Sequence, residues 1–138
     1  MTREPGTTVP ISTEPDIVQV RQAVRQAAVS AGFSLVQQTK LVTAASELAR
    51  NALVYGGGGR AEITVRETAS TATVHLTFTD HGPGIPDIAA ALTDGFTTGA
   101  GLGLGLGGAR RLADHFEIDS TPGKGTTVRL SISTRRSS

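Results

Sequence analysis

The alternating run from Ala72 to Asp80 constrains this chain more than any other feature. Ala72, Val74, Leu76 and Phe78 interleave with Thr73, His75, Thr77 and Thr79. Successive side chains of a strand point to opposite faces, so a period of two buries one face and wets the other. Such a strand belongs to a sheet covered on one side only, with antiparallel neighbours and a helical layer over its apolar face. The even-numbered series continues to Asp80, whose carboxylate therefore points toward the covered side. A carboxylate taken out of water costs several kcal/mol unless donors satisfy it. Asp80 thus awaits a donor, and the exocyclic amino group of a purine would serve.

The rest of the chain supplies that architecture. Thr7 to Ser12 reads as a short strand. Ser12, Thr13 and Glu14 offer capping groups ahead of Pro15 at a helix-starting position. Ile17, Val20, Val24, Ala27 or Ala28, and Ala31 fall on one helical face, which Gly32 is placed to end. A second helix runs from about Leu35 to Tyr55, with Leu41, Ala45, Leu48 and Ala52 in its apolar stripe, and stops at Gly56 to Gly59. Arg60 to Glu67 alternates around Ala61, Ile63 and Val65 and pairs with the Ala72 strand as a hairpin. Asp87 to Thr93 is expected as a short helix, Leu104 to His115 as a longer one, and Phe116 to Thr121 and Thr126 to Ser133 as strands joined by the turn Pro122 to Gly125. The fold class is α+β: a two-layer sandwich with a mixed, mostly antiparallel sheet and helices on one face. At 138 residues the chain is expected to form one domain over residues 7–134, between frayed termini at 1–6 and 135–138.

Charge and composition exclude more than they indicate. Thirteen Lys and Arg against twelve Asp and Glu leave a net charge of +1, so no global field draws nucleic acid or an anionic membrane. The absence of cysteine removes thiolate metal sites, and His75, His81 and His115 lack zinc spacing. With no membrane-length apolar stretch and no leader at Met1, a cytoplasmic location is expected. The seventeen glycines are the one excess, and they cluster at Gly56 to Gly59, at Gly82 and Gly84, and between Gly95 and Gly108.

Three groups of residues carry chemistry. Glu47 and Asn51 lie four apart on the second helix, which sets their Cβ atoms about 6 Å apart on one face. The amide oxygen of Asn51 is a hard ligand suited to Mg²⁺, and the Glu47 carboxylate can accept a proton. Asp80 opens Asp80-x-Gly82-x-Gly84-Ile85, where missing side chains would admit a flat base against the backbone. Gly101-Leu102-Gly103-Leu104-Gly105-Leu106-Gly107-Gly108 opens a helix, where unpaired N–H groups and the helix dipole favour phosphate. This stretch contains the spacing of a dinucleotide fingerprint but lacks the preceding strand that such a fold needs. The glycines from Gly95 to Gly103 read instead as a lid over the nucleotide. Thr126, in phase with Val128, Leu130 and Ile132, faces the same layer as Asp80 and could share the base or a water with it.

The order of these motifs resembles the four boxes of the GHKL ATPase superfamily: Glu-x-x-x-Asn on a helix, Asp-x-Gly-x-Gly after a strand, a glycine-rich lid, and Gly-Thr before the last strand. Ser46-Glu47-Leu48-Ala49-Arg50-Asn51, Asp80-His81-Gly82-Pro83-Gly84-Ile85 and Asp94-Gly95-Phe96-Thr97-Thr98 are most similar to the RsbT-type switch kinases of bacterial stress signalling. The resemblance implies a Bergerat sandwich, ATP with Mg²⁺ as cofactors, and phosphorylation of a serine or threonine on a STAS-domain antagonist. A sigma factor or a PP2C-type phosphatase stands as a further partner. It implies Glu47 as the general base, Asn51 as the magnesium ligand and Asp80 as the adenine reader. Gly82, Gly84, Ile85, Thr98, Gly101, Leu102, Gly103, Leu104, Gly105, Gly107 and Thr126 would complete the nucleotide site. One departure is that Thr97 to Gly108 holds no Lys or Arg, whereas sporulation-type anti-sigma kinases tend to place a cation there. A nucleotide-gated binding module with little catalysis is the alternative reading.

Overall fold

The computed structural model describes residues 6–85 and 106–136. Its elements run β1 (Gly6–Ile11), α1 (Glu14–Ser30), α2 (Leu35–Val54), β2 (Gly59–Glu67), β3 (Thr71–Asp80), α3 (Leu106–Leu112), β4 (His115–Thr121) and β5 (Gly125–Arg135). The strands form one sheet in the order β1-β2-β3-β5-β4, and each of the four pairings is antiparallel. The parallel component expected of a mixed sheet is therefore absent among the described residues.

β3 behaves as its alternation requires. Ala72, Val74, Leu76, Phe78 and Asp80 are buried, and the odd-numbered residues between them are only partly covered. Its partners bring Ala61 and Ile63 from β2 and Val128, Leu130 and Ile132 from β5 to the same core. Helices α1 and α2 close that face. Ile17, Val20, Val24 and Ala28 line the buried side of α1, and Leu41, Ala45, Leu48 and Ala52 that of α2. The helices run antiparallel, with Glu14 and Arg50 3.7 Å apart near one end and Arg25 and Gln38 3.4 Å apart near the other.

Local chemistry sets the helix ends. The Asp16 carboxylate accepts from the Ser12 and Thr13 backbone N–H groups at 2.8 and 2.9 Å, and these bonds hold its pKa below the usual carboxylate value. Thr13, one of the expected capping groups, is the N-cap, and Asp16 at the third helical position completes the cap. Gly32 has φ +83°, the left-handed stop expected of it. Ser34 Oγ accepts from Gln37 N at 3.2 Å while Gln37 Oε1 accepts from Ser34 N at 3.1 Å, a reciprocal cap on α2.

Three boundaries differ from the sequence expectation. Gly6 and Arg135 were expected in the frayed termini, but ladder pairing with Thr64 and Thr71 incorporates them into strands. The helix expected to reach His115 ends at Leu112, because Asp114 N donates to Ser131 O at 2.9 Å and the Asp114 carboxylate accepts from Ser133 N at 2.7 Å. These bonds end the helix three residues early and let β4 start at His115, one residue before the expected Phe116. The helix expected over 87–93 lies outside the described residues.

Candidate functional site

The last residue of β3 and the end of α2 converge at one edge of the sandwich. Asp80 is 5% exposed, and its Oδ1 accepts from Gly82 N at 2.9 Å. Burial pushes its carboxyl above the ordinary value, while the backbone N–H groups of Gly82 and Thr126 and the charge of His81 pull it partly back. Burial prevails, so the donors already present compensate only part of the desolvation. A carboxylate has about four lone-pair positions, and two backbone donors leave capacity for another.

Glycines close around this carboxylate. A Cβ at Gly56 would run into the Asp80 side chain, and one at Gly125, whose φ is +90°, would strike the Asp80 carbonyl. A Cβ at Gly82 would stand 2.6 Å from the Gly56 Cα, and one at Gly84 2.6 Å from the Thr121 carbonyl oxygen. The space that the missing Gly82 and Gly84 side chains leave is therefore taken by neighbouring backbone, where the sequence suggested room for a base. Their absence lets the 82–85 segment seat against the α2 end and the β4–β5 turn.

Hydroxyl groups fasten that segment from both sides. The Tyr55 hydroxyl donates to the Gly84 carbonyl at 3.2 Å. Ile85 N donates to Ser120 Oγ at 2.7 Å, and Ser120 Oγ lies 2.8 Å from Thr126 Oγ1 and 3.3 Å from the Gly125 carbonyl. Thr126 is directly opposite Asp80 in the β3–β5 register and 3% exposed, as the strand phase required. Its hydroxyl is engaged by Ser120, and its backbone N–H is what reaches Asp80. Sequence reasoning missed Ser120, Tyr55 and Gly56. Ser120 is in phase with Ile118 and Phe116 on the covered side, a signal available from the alternation alone.

Asn51 occupies the last turn of α2 at 7% exposure, and its Oδ1 is buried with no hydrogen-bond partner among the described residues. Native buried acceptors are nearly all paired, so an orphaned oxygen of this kind is free to accept from or coordinate a bound group. A hard, neutral oxygen fits Mg²⁺. Glu47, one turn earlier, is exposed to solvent. Gly107 is buried in α3, which packs on α2 together with Leu106 and Ala109. The structure thus unites Asp80, Gly82, Gly84, Ile85 and Thr126, with Asn51 on the adjoining helix end and Glu47 apart at the surface. Thr98, Gly101, Leu102, Gly103, Leu104 and Gly105, with the expected lid, lie outside the described residues.

Residues 36–136 match the family described as Histidine kinase-, DNA gyrase B-, and HSP90-like ATPase. The chain belongs to that family. Within this ATPase family it is 44% identical to the Serine/threonine-protein kinase RsbT of Bacillus subtilis (strain 168), over 87% of this chain and 90% of that one. It is also 35% identical to the Anti-sigma F factor of Bacillus licheniformis, over 67% of this chain and 66% of the relative. A solved structure, that of the SiaB-SiaC complex from Pseudomonas aeruginosa, superposes with a TM-score of 0.53 at 15% identity. That superposition covers 94% of this chain and 89% of that one and speaks for the fold alone. No helix among the described residues is long and apolar enough to cross a membrane.

Proposed function

We propose that this chain is an ATP-dependent serine/threonine protein kinase of the switch type, which phosphorylates a STAS-domain antagonist protein in stress or sigma-factor signalling. The observation that carries the reading is the α2 end: a buried, unpartnered Asn51 Oδ1 one helical turn from an exposed Glu47 carboxylate. An inward oxygen suits an ion held with a nucleotide, and an outward carboxylate suits an acceptor hydroxyl arriving from another protein. The extended identity with RsbT supports protein phosphorylation as the reaction, and a relative named for sigma F supports sigma-factor control as the setting.

Asp80 accepts a hydrogen bond from the adenine amino group, to which its incompletely compensated burial commits it. Ile85 and the 82–84 backbone, fixed by Tyr55 and Ser120, shape the slot beside it. Asn51 Oδ1 would hold Mg²⁺, and the bound Mg-ATP would supply the transferable phosphoryl group together with charge neutralisation. Glu47 takes the proton of the incoming hydroxyl, and its ready access to water and to a docked protein suits that task.

Incubation of the purified protein with Mg-ATP and a STAS-domain antagonist is expected to yield phosphoserine or phosphothreonine on the antagonist, mapped by mass spectrometry. Glu47→Ala should lower the rate by roughly 10²- to 10⁴-fold with ATP affinity unchanged; equal incorporation by this variant would remove Glu47 as the base. The second reading, a nucleotide-gated binding module, is favoured by the absence of Lys and Arg from Thr97 to Gly108. ATP-dependent capture of the partner without any phosphorylated product would establish it instead.

A further inference from the structure

The stretch that carries the base-binding and lid motifs has no strong cation of its own. From Asp80 to Ala109 there is no Lys or Arg, although phosphoryl transfer gathers negative charge that the protein has to neutralise. A cation for this site must come from elsewhere in the chain, and the described residues narrow the choice. Lys124 stands in the β4–β5 turn, whose Gly123 N–H donates to the Pro83 carbonyl at 2.8 Å, at the Asp80 end of the site. Arg110 and Arg111 occupy the last turn of α3. Arg21 lines a groove with Val42, more than a helical turn before Glu47. Among the described residues, Arg50 is the cation that shares the last turns of α2 with Glu47 and Asn51.

Helical geometry sets these three side chains in order. At about 100° per residue, Arg50 falls about 60° to one side of Glu47 and Asn51 about 40° to the other. The Glu47 carboxylate thus stands between a buried amide oxygen suited to Mg²⁺ and an exposed guanidinium. That guanidinium is loosely held: Arg50 Nη1 is 3.7 Å from Glu14 Oε1, with the two side chains 52% and 66% exposed. A pair of this kind adds little to stability because water screens it. Glu14 does not depend on it either, since a carboxylate in the first turn of α1 is favoured by the N–H groups of that helix end. Arg50 can therefore leave Glu14 at small cost and without stranding a charge.

We propose that Arg50 binds the γ-phosphate of ATP, and that Glu14 holds it in reserve until the nucleotide arrives. This role rests on the nucleotide site proposed for Asp80 and Asn51, and it supplies the cation that the stretch from Asp80 to Ala109 lacks. Arginine suits the task because its planar fork can meet two phosphate oxygens at once and because it stays charged at any physiological pH. Glu14 and the γ-phosphate compete for one guanidinium, so substitutions at the two residues have opposite consequences. Loss of Arg50 removes the interaction, whereas loss of the Glu14 charge frees Arg50 to make it. ADP has no γ-phosphate and is indifferent to both. An arginine that merely tied α1 to α2 would behave otherwise: either substitution would break the same tie, and the two nucleotides would be affected alike.

Calorimetric titration of the full chain with Mg²⁺ and either ADP or the β,γ-imido analogue of ATP reads the difference. Arg50→Ala should weaken the analogue about tenfold or more while ADP affinity stays within about twofold. The ADP measurement also checks that each variant is folded. Arg50→Lys should retain part of the analogue affinity, since it keeps the charge but not the fork. Glu14→Gln should strengthen the analogue by up to about fivefold, and the double variant should match Arg50→Ala. The γ-phosphorus resonance of the bound analogue should differ between the wild type and Arg50→Ala. Equal loss of both nucleotides, weaker analogue binding in Glu14→Gln, or an unchanged analogue-to-ADP ratio in Arg50→Ala would overturn the role of Arg50 and leave the nucleotide site standing. A wild-type chain that bound neither nucleotide would instead remove the nucleotide site, and the role of Arg50 with it.

Discussion

Asp80 and Glu47, the two carboxylates proposed for the nucleotide site, are built in opposite ways. Asp80 is enclosed by β3, β5 and the α2 end, bonded to Gly82 and Thr126, and kept by Gly56 and Gly125 from being displaced. Glu47 stands exposed on the surface of α2. On the proposed function, base recognition is assembled by the fold before any ligand arrives, and the carboxylate assigned to proton transfer stands where another protein can approach it. The contrast suits a kinase whose second substrate is a macromolecule: the group proposed for the small ligand is enclosed, and the one proposed for the large substrate stands open.

The comparison yields tests of graded size. The largest is reciprocal to the loss of transfer in Glu47→Ala: Asp80→Asn should weaken ATP binding by roughly 10- to 100-fold, the worth of a charged hydrogen bond. It should leave the melting temperature equal or higher, because the ionised form opposes folding; calorimetric titration and thermal melts read the two separately. Next, Gly56→Ala drives a methyl into the Asp80 side chain and should cost about 1–3 kcal/mol of stability along with ATP affinity, measured by denaturant unfolding. The same substitution at Gly57, with no atom within reach of a Cβ but φ +74°, reports backbone strain alone and serves as the control.

Ser120→Ala is smaller. It removes the acceptor of Ile85 N–H and the partner of Thr126, at about 0.5–1.5 kcal/mol, and should raise the ATP dissociation constant several-fold. Restoration by Ser120→Thr would tie the effect to the hydroxyl. The smallest effect is that of pH. Since the folded pKa of Asp80 is raised, its contribution to stability falls as pH rises from the ordinary carboxylate value through the raised one. ATP affinity should move the other way, falling as acid protonates the acceptor, with a midpoint above that of an ordinary aspartate and absent in Asp80→Asn.

Much of this site was legible in the amino-acid order because strand phase is a local property. The alternation from Ala72 placed the Asp80 carboxylate on the covered face, and the phase of Val128, Leu130 and Ile132 placed Thr126 beside it. Helical spacing set Glu47 and Asn51 one turn apart, and Gly32 stopped α1 in the left-handed region as expected. These features depend on contacts within a few residues, where backbone geometry leaves few choices.

What the sequence could not decide involves groups far apart in the chain. That Gly82 and Gly84 make room for Gly56 and Thr121 backbone, that Ser120 captures Ile85 N–H and the Thr126 hydroxyl, and that Asn51 is buried while Glu47 is exposed all follow from how α2 lies across a sheet ordered β1-β2-β3-β5-β4. A glycine or a serine is compatible with many neighbours, and only the packed layers select which atoms fill the adjoining space. The sequence by itself determined which faces are apolar and where a carboxylate had to be buried. The tertiary structure decided which donors meet it and how far they fall short of its need, because desolvation is set by all the elements that surround a group at once.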